Sequence, residues 1–359
     1  MVSMFAAKHY PDIIPGTELD KYLARGWYRM GQTIFTTHFL CFGEQFYSAL
    51  WIRLPLTDYR FSKSLRKLYR RNSGKYQIQF RPAHINAEKE ALYQSYKKEF
   101  PGILAPTLND SLLDGEAGNI FNTFEAAVYD GDELIAVSFF DLGDHSAASI
   151  QGIYNPEYRK DSLGLFTMLL EIQFCLEHDY EYYYPGYVVP GNSRFDYKLR
   201  IGKTCEYLNI QNQEWLPWNT LQAEDIPLVQ MEQRLKGLKD ALKPAGFRSA
   251  IKFYPLFEAN LFGFWRVPFF DYPLFLLIEI PGQARGMYTL CVWDPRSSAY
   301  KLLQGSNFDD IQFYFNEAYT NSFQSPRYFV DLLTTERLLH LSDDPASILQ
   351  TVQNLREDQ

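Results

Sequence analysis

The sequence predicts an α+β fold of two or three domains, and three observations carry that prediction. The chain has 359 residues, 46% of them hydrophobic and 17% aromatic, enough for two or three domains at roughly 150 residues each and for large buried cores. Two apolar, alternating runs flank Asp130-Gly131 in "FEAAVYDGDELIAVSFFD", a hairpin signal. Between the strand-like "AASIQGIY" and "YEYYYPGYVV" lies "LGLFTMLLEIQFCLEH", which is apolar on nearly every side and reads as a buried helix.

In chain order, a first segment to Pro82 is expected to form a small α+β domain. Alternation in "YSALWIRLPLTDYRF" predicts a strand, and "FSKSLRKLYRRN" predicts the helix that follows it. From Arg60 to Arg81 there are eight Lys or Arg residues and no Asp or Glu, in a chain of net charge -8. At about 100° per residue, Lys63, Arg66, Lys67, Arg70 and Arg71 share one face, while Leu65, Leu68, Tyr69 and Asn72 share the opposite one. Ser62 caps the helix. Five cations on one face with no carboxylate at helical spacing repel one another unless an anion binds. The strip therefore points to a polyanion, nucleic-acid phosphate above all.

The second segment, residues 83–218, opens with a helix in "NAEKEALYQSYKKEF" capped by Asn86, continues through the hairpin, a third strand and the apolar helix, and ends in strands at "YEYYYPGYVV" and "CEYLNIQ". The third segment, residues 219–359, begins with a helix on which Leu228, Met231, Leu235, Leu238 and Leu242 keep an a/d spacing. An aromatic, strand-like region at Phe262–Ile280 follows, and helices are expected around Tyr328–Leu341 and Pro345–Leu355. No catalytic constellation stands out in this mixed C-terminal extension.

The four cysteines, Cys41, Cys175, Cys205 and Cys291, are far apart. They signal neither a metal site nor a disulfide framework, and a reducing, cytoplasmic setting is expected. The opening "MVSMFAAKHYPDIIPG" lacks a basic n-region and a long apolar core. Arg266, Asp271 and Glu279 interrupt the most apolar stretch, so no membrane span is expected.

The order strand, strand, strand, helix, strand in residues 83–218 matches the core of the Gcn5-related N-acyltransferase fold. The motifs "GWYRMG", "WIRLPLTDYRFSKSLRKLYRRN", "SIQGIYNPEYRKDSLG" and "YYYPGYVVPGNSRFDYK", together with the hairpin, resemble the aminoacyl-tRNA-protein transferases, which comprise arginyltransferases and bacterial leucyltransferases. The resemblance spans about Tyr22 to Gln211. It implies transfer of an amino acid from an aminoacyl-tRNA to the N-terminal α-amine of an acceptor protein, with the charged tRNA as donor; no further cofactor and no metal are expected. Where the family usually carries a cysteine cluster, this chain has only Cys41.

Such a transfer needs no covalent nucleophile, because the ester is already activated; positioning and one proton acceptor suffice. Asp141, ending the second hairpin strand, is the expected acceptor. Tyr154, Tyr184 and Tyr187 are expected to orient the ester or the acceptor, Lys198 to meet the tRNA terminus, and Arg159 to favour an anion before the helix at Ser162. The cationic helix and Arg53 are expected to grip the tRNA. Two other readings stay open: a coenzyme-A-dependent N-acyltransferase, for which "RKDSLG" offers Gly164 but Ser162 where a first glycine is usual, and a tRNA- or degron-binding relative without chemistry.

Overall fold

The computed structural model of the chain describes residues 4–262, 269–308 and 317–357. Its N-terminal part comprises β1 (Ala6–His9), α1 (Gly16–Leu23), β2 (Tyr28–Met30), β3 (Thr33–Thr37) and a hairpin of β4 (Phe39–Phe42) and β5 (Gln45–Ser48). Strands β1, β3 and β2 form a small sheet in that order.

The central part contains β6 (Leu50–Pro55), α2 (Lys63–Ser73), β7 (Gln77–Pro82), α3 (Ala87–Glu99), α4 (Leu108–Leu113), β8 (Thr123–Asp130), β9 (Glu133–Leu142), β10 (Ser146–Tyr154), α5 (Leu163–Glu177), β11 (Tyr182–Val188), β12 (Glu206–Leu208) and β13 (Trp215–Pro217). Its eight strands form one mixed sheet in the order β13-β12-β6-β11-β10-β9-β8-β7. The expected boundary at Pro82 therefore falls inside this sheet. Strands β6 and β7, with α2 between them, join the central layers because their buried positions, Leu54 and Leu65 among them, pack into the same core as α5.

Local rules account for the elements. Ser62 accepts a 3.4 Å hydrogen bond from the Leu65 N–H at the start of α2, and Asn86 a 3.0 Å bond from the Lys89 N–H at the start of α3. Strands β8 and β9 meet at a two-residue turn, Gly131-Asp132, one position later than expected, with Asp130 paired to Glu133. Gly131 takes φ +61° there, a left-handed conformation in which a side chain would be strained. Helices α2 and α5 cover one face of the sheet, and α3 and α4 cover the other beside the N-terminal strands.

One feature of the sheet creates space. Strands β10 and β11 are parallel and pair only from Ser146↔Tyr182 to Ala148↔Tyr184. Register shifts between Ser149 and Gln151 on β10, and between Tyr183 and Gly186 on β11, turn the two strands apart. This three-strand, helix, strand core with a parted parallel pair has the Gcn5-related N-acyltransferase arrangement. The Tyr28 hydroxyl sits in the crotch of the fork, within hydrogen-bond reach of the Ser149 carbonyl and 2.7 Å from the Tyr184 carbonyl.

The C-terminal part holds α6 (Pro227–Leu242), β14 (Ser249–Phe253), β15 (Leu274–Ile278), β16 (Met287–Asp294), β17 (Ala299–Asn307), α7 (Glu317–Thr320), β18 (Leu333–Ser342) and α8 (Pro345–Glu357). Strands β14 to β18 form an antiparallel sheet in chain order. Met231, Leu235, Leu238 and Leu242 of α6 are fully buried against it, each contributing about 1.5–3 kcal/mol. The helix expected around Tyr328–Leu341 is instead a strand over Leu333–Ser342, because pairing with β17 from Leu333 to Ser342 overrides the helical propensity of its leucines. Part of the aromatic region, residues 263–268, lies outside the described residues; the rest yields β15. Among the described residues, no helix is long and apolar enough to cross a membrane.

The β4–β5 hairpin joins the three parts. Phe39, Cys41 and Phe46 on one face enter the C-terminal core. Leu40 and Tyr47 on the other pack against Tyr187 and Phe195.

Candidate active site

Where β10 and β11 part, the backbone edges from Ser149 to Tyr154 and from Pro185 to Tyr187 face one another across a cavity of about 760 Å³. The first turn of α5 closes one end, and the 3-10 segment Ser193–Ile201 supplies Tyr197 and Lys198 to the wall.

The floor carries a carboxyl that the sequence reading did not single out. Glu171 is fully buried in the middle of α5 and borders the cavity. The Tyr183 hydroxyl donates a 2.7 Å hydrogen bond to Oε2, while Oε1 makes no hydrogen bond among the described residues. Burial raises its pKa to about 7, with the hydrogen bond from Tyr183 acting in the opposite direction. The signal was present: Glu171 is the one charged residue between Leu163 and Phe174 of an otherwise apolar helix.

Lys198 stands in the wall, where its Nζ donates to the Tyr187 carbonyl at 3.0 Å and lies 5.2 Å from the Tyr187 ring centroid. Burial lowers its pKa to about 8. Burial thus draws the carboxyl up and the ammonium down toward one another, placing a basic carboxyl and a cation on the same cavity.

Tyr154 and Tyr187 both line the cavity. The Tyr154 ring lies over Gly164, 3.3 Å from where a side chain on that glycine would begin, so an aromatic ring occupies the approach to the first turn of α5. Arg159 reaches the rim but is ion-paired with Glu99. Ser162, expected to mark an anion site, has φ +53° and does not cap α5 with its side chain.

Three residues are placed differently from the expectation. Asp141 does not border the cavity: it is fully buried, with Oδ1 2.9 Å from Arg29 Nη1 and 2.5 Å from Thr123 Oγ1. Burial still raises its pKa against the opposing pull of Arg29. The alternation of β11 sends Tyr183 to the α5 face and Tyr184 to the opposite one, where its ring packs beside Trp51 and Leu208. Arg53 lies opposite Glu206 across the β6–β12 pair, bonded to it at 2.7 Å and stacked 4.2 Å from Tyr182 and 4.7 Å from Trp215. Its charge is already compensated, and it sits apart from the cationic helix.

On α2, Lys63, Arg66, Lys67 and Arg70 are exposed and make no ion pair among the described residues. Arg71 is different: it approaches Asp161 at 3.7 Å, beside Asn72, which donates a 2.7 Å bond to the Asp161 carbonyl. These contacts fix the C-terminal end of α2 next to the start of α5 and hence next to the cavity. Among the described residues, no three His, Cys, Asp or Glu side chains are grouped to hold a metal ion.

Residues 68–206 match the family profile described as arginine-tRNA-protein transferase, C terminus. The chain is similar to aspartate/glutamate leucyltransferases: 27% identical to that of Leptospira interrogans over 194 residues, covering 53% of this chain and 74% of the relative. For that of Vibrio cholerae the figures are 27% over 195 residues, 54% and 80%. Among solved structures, FemX aligns with a TM-score of 0.32 at 11% identity, covering 52% of this chain and 64% of that one. A GCN5-related N-acetyltransferase from Kribbella flavida aligns with a TM-score of 0.25 at 11% identity, covering 43% and 53%.

Proposed function

We propose, from the match of residues 68–206 to the arginine-tRNA-protein transferase profile and the similarity to aspartate/glutamate leucyltransferases, that the chain transfers an aminoacyl group from aminoacyl-tRNA to the N-terminal α-amine of an acceptor protein, in the cavity where β10 and β11 part. The observation that carries this reading is Glu171, a carboxyl at the cavity floor whose pKa of about 7 approaches that of an α-amine, about 7.7–8.0.

In the proposed step the neutral α-amine attacks the ester carbonyl. A bond forms between nitrogen and carbon, and the bond between that carbon and the ribose oxygen breaks. The proton lost by the amine passes to Glu171 and returns to the departing ribose oxygen, so no net proton is consumed. Lys198, as a cation, offsets the charge that develops on the carbonyl oxygen. Tyr154 and Tyr187 hold the reacting groups between their rings. The unpaired inner edges of β10 and β11 suit an extended acceptor terminus, which can add to a strand through backbone hydrogen bonds. The exposed cations of α2 would bind tRNA phosphate outside the cavity.

A coenzyme-A-dependent reading gains no support from the start of α5, where Tyr154 covers Gly164. The test is mass spectrometry of peptides with varied N-terminal residues, incubated with the full chain and a fully charged tRNA mixture. A gain of one amino-acid residue, abolished by ribonuclease, is expected. Acetylation by acetyl-CoA without any tRNA-dependent gain, or no gain from either donor, would overturn the proposal.

A further inference from the structure

A file of aromatic rings leads out of the cavity. Tyr187, in its wall, lies 5.7 Å from Phe195 at 32°, and Phe195 lies 5.8 Å from Phe42 at 23°. Exposure rises along the file: Tyr187 and Phe195 are half-buried, and Phe42, on the outer edge of the β4–β5 hairpin, is 40% exposed. Hairpin alternation explains how Phe42 comes to be there. Phe39 and Cys41 are committed to the C-terminal core, which turns the neighbouring Phe42 to the other face, toward Phe195.

The file is flanked by positive charge. Arg194 and Arg200 are exposed, border the cavity and make no ion pair among the described residues. Lys198 lies 5.2 Å and 5.8 Å from the Tyr187 and Phe195 ring centroids. Asp196 is the single carboxylate of the segment Ser193–Ile201. Half-exposed rings beside uncompensated cations are the combination that binds single-stranded nucleic acid: bases stack on the rings and phosphates meet the cations.

We infer that Phe42, Phe195 and Tyr187, with Arg194 and Arg200, receive the single-stranded 3′ end of the donor tRNA and lead its aminoacyl ester into the cavity. This assignment rests on the transferase reading above. At 5.8 Å Phe195 and Phe42 are too close to admit a base between them, so stacking uses the outward face of Phe42. The acceptor fits this wall less well, because its α-ammonium would meet three cations.

The test compares tRNA binding by wild-type protein, Phe42→Ala and Phe42→Tyr, using intact tRNA and tRNA trimmed of its single-stranded 3′ end. Phe42→Ala is expected to weaken intact tRNA binding about tenfold, Phe42→Tyr to retain it, and all three proteins to bind trimmed tRNA alike, which also confirms their folding. Equal weakening for intact and trimmed tRNA, or none for either, would overturn the assignment while leaving the transferase reading in place. A change confined to the peptide KM would move the file to the acceptor. Failure of wild-type protein to bind any tRNA would instead remove the transferase reading, and the assignment with it.

Discussion

The Tyr183 hydroxyl hydrogen-bonds to the Glu171 carboxyl at 2.7 Å, linking β11 to α5 beneath the cavity. The bond selects one oxygen of the carboxyl as structural acceptor and leaves the other, Oε1, without a hydrogen-bond partner among the described residues. It also stabilises the charged form, because a hydroxyl donor favours a carboxylate over the protonated acid.

Transfer should depend on pH through this pair. The carboxyl must be ionised to accept a proton and the attacking α-amine must be neutral, so the rate rises as pH passes through about 7 to 8, and it falls again as Lys198 loses its charge near about 8. Tyr183→Phe removes the bond that favours ionisation and should move the acidic limb to higher pH. Lys198→Met should abolish the alkaline limb. Both follow from single-turnover rates measured across pH.

Stability should carry the same signature. The folded-state pKa of Glu171, about 7, lies above its ordinary value of 4.5. Between those values the folded chain keeps a proton that the unfolded chain releases, so stability falls as pH rises through the window and levels off above it. Glu171→Gln should therefore be more stable than wild type at pH 8, on the order of 3 kcal/mol, and should lose that advantage below pH 4.5. Urea unfolding of the two proteins at both pH values checks this.

Asp141 should behave as a structural partner. Its pair with Arg29 is almost fully buried, at 0% and 1% side-chain exposure, and Asp141→Ala leaves an uncompensated buried guanidinium. A loss of about 3–5 kcal/mol of stability is expected, with the pH profile of transfer in the remaining folded protein unchanged. A lost acidic limb in this variant would return Asp141 to the proton-acceptor role.

On α2 the cations should separate into two classes. Replacing exposed Arg66 and Arg70 by Ala should flatten the dependence of log tRNA affinity on log salt by about 0.7 to 0.9 per lost phosphate contact. Arg71→Ala should change that slope less, because Arg71 already faces Asp161. Titrations of tRNA binding at several salt concentrations distinguish the two.

Much of this architecture was legible in the residues. Ser62 and Asn86 marked helix starts through their capping chemistry, Gly131 marked the hairpin, and the a/d leucines of α6 marked a buried face, because each signal is local. The fork was not legible, since it depends on register shifts at Ser149–Gln151 and Tyr183–Gly186 that alternation does not reveal. Strand position suggests exposure for Asp141, which the structure instead buries against Arg29, while the apolar run around Glu171 reads only as core. Arg53, expected with the α2 cations on the tRNA, is paired by its strand with Glu206, a partner distant in sequence. In the C-terminal part, local propensity around Leu338–Leu341 gave way to pairing with β17.

The most direct measurement is single-turnover transfer from charged tRNA to a peptide with a free α-amine, run with wild-type protein and Glu171→Gln side by side. The predicted result is transfer by the wild type and a rate lower by about 10²–10⁴-fold for the variant, with tRNA affinity unchanged. Equal rates for the two proteins would contradict Glu171 as the proton acceptor, and no transfer by the wild type would contradict the function itself.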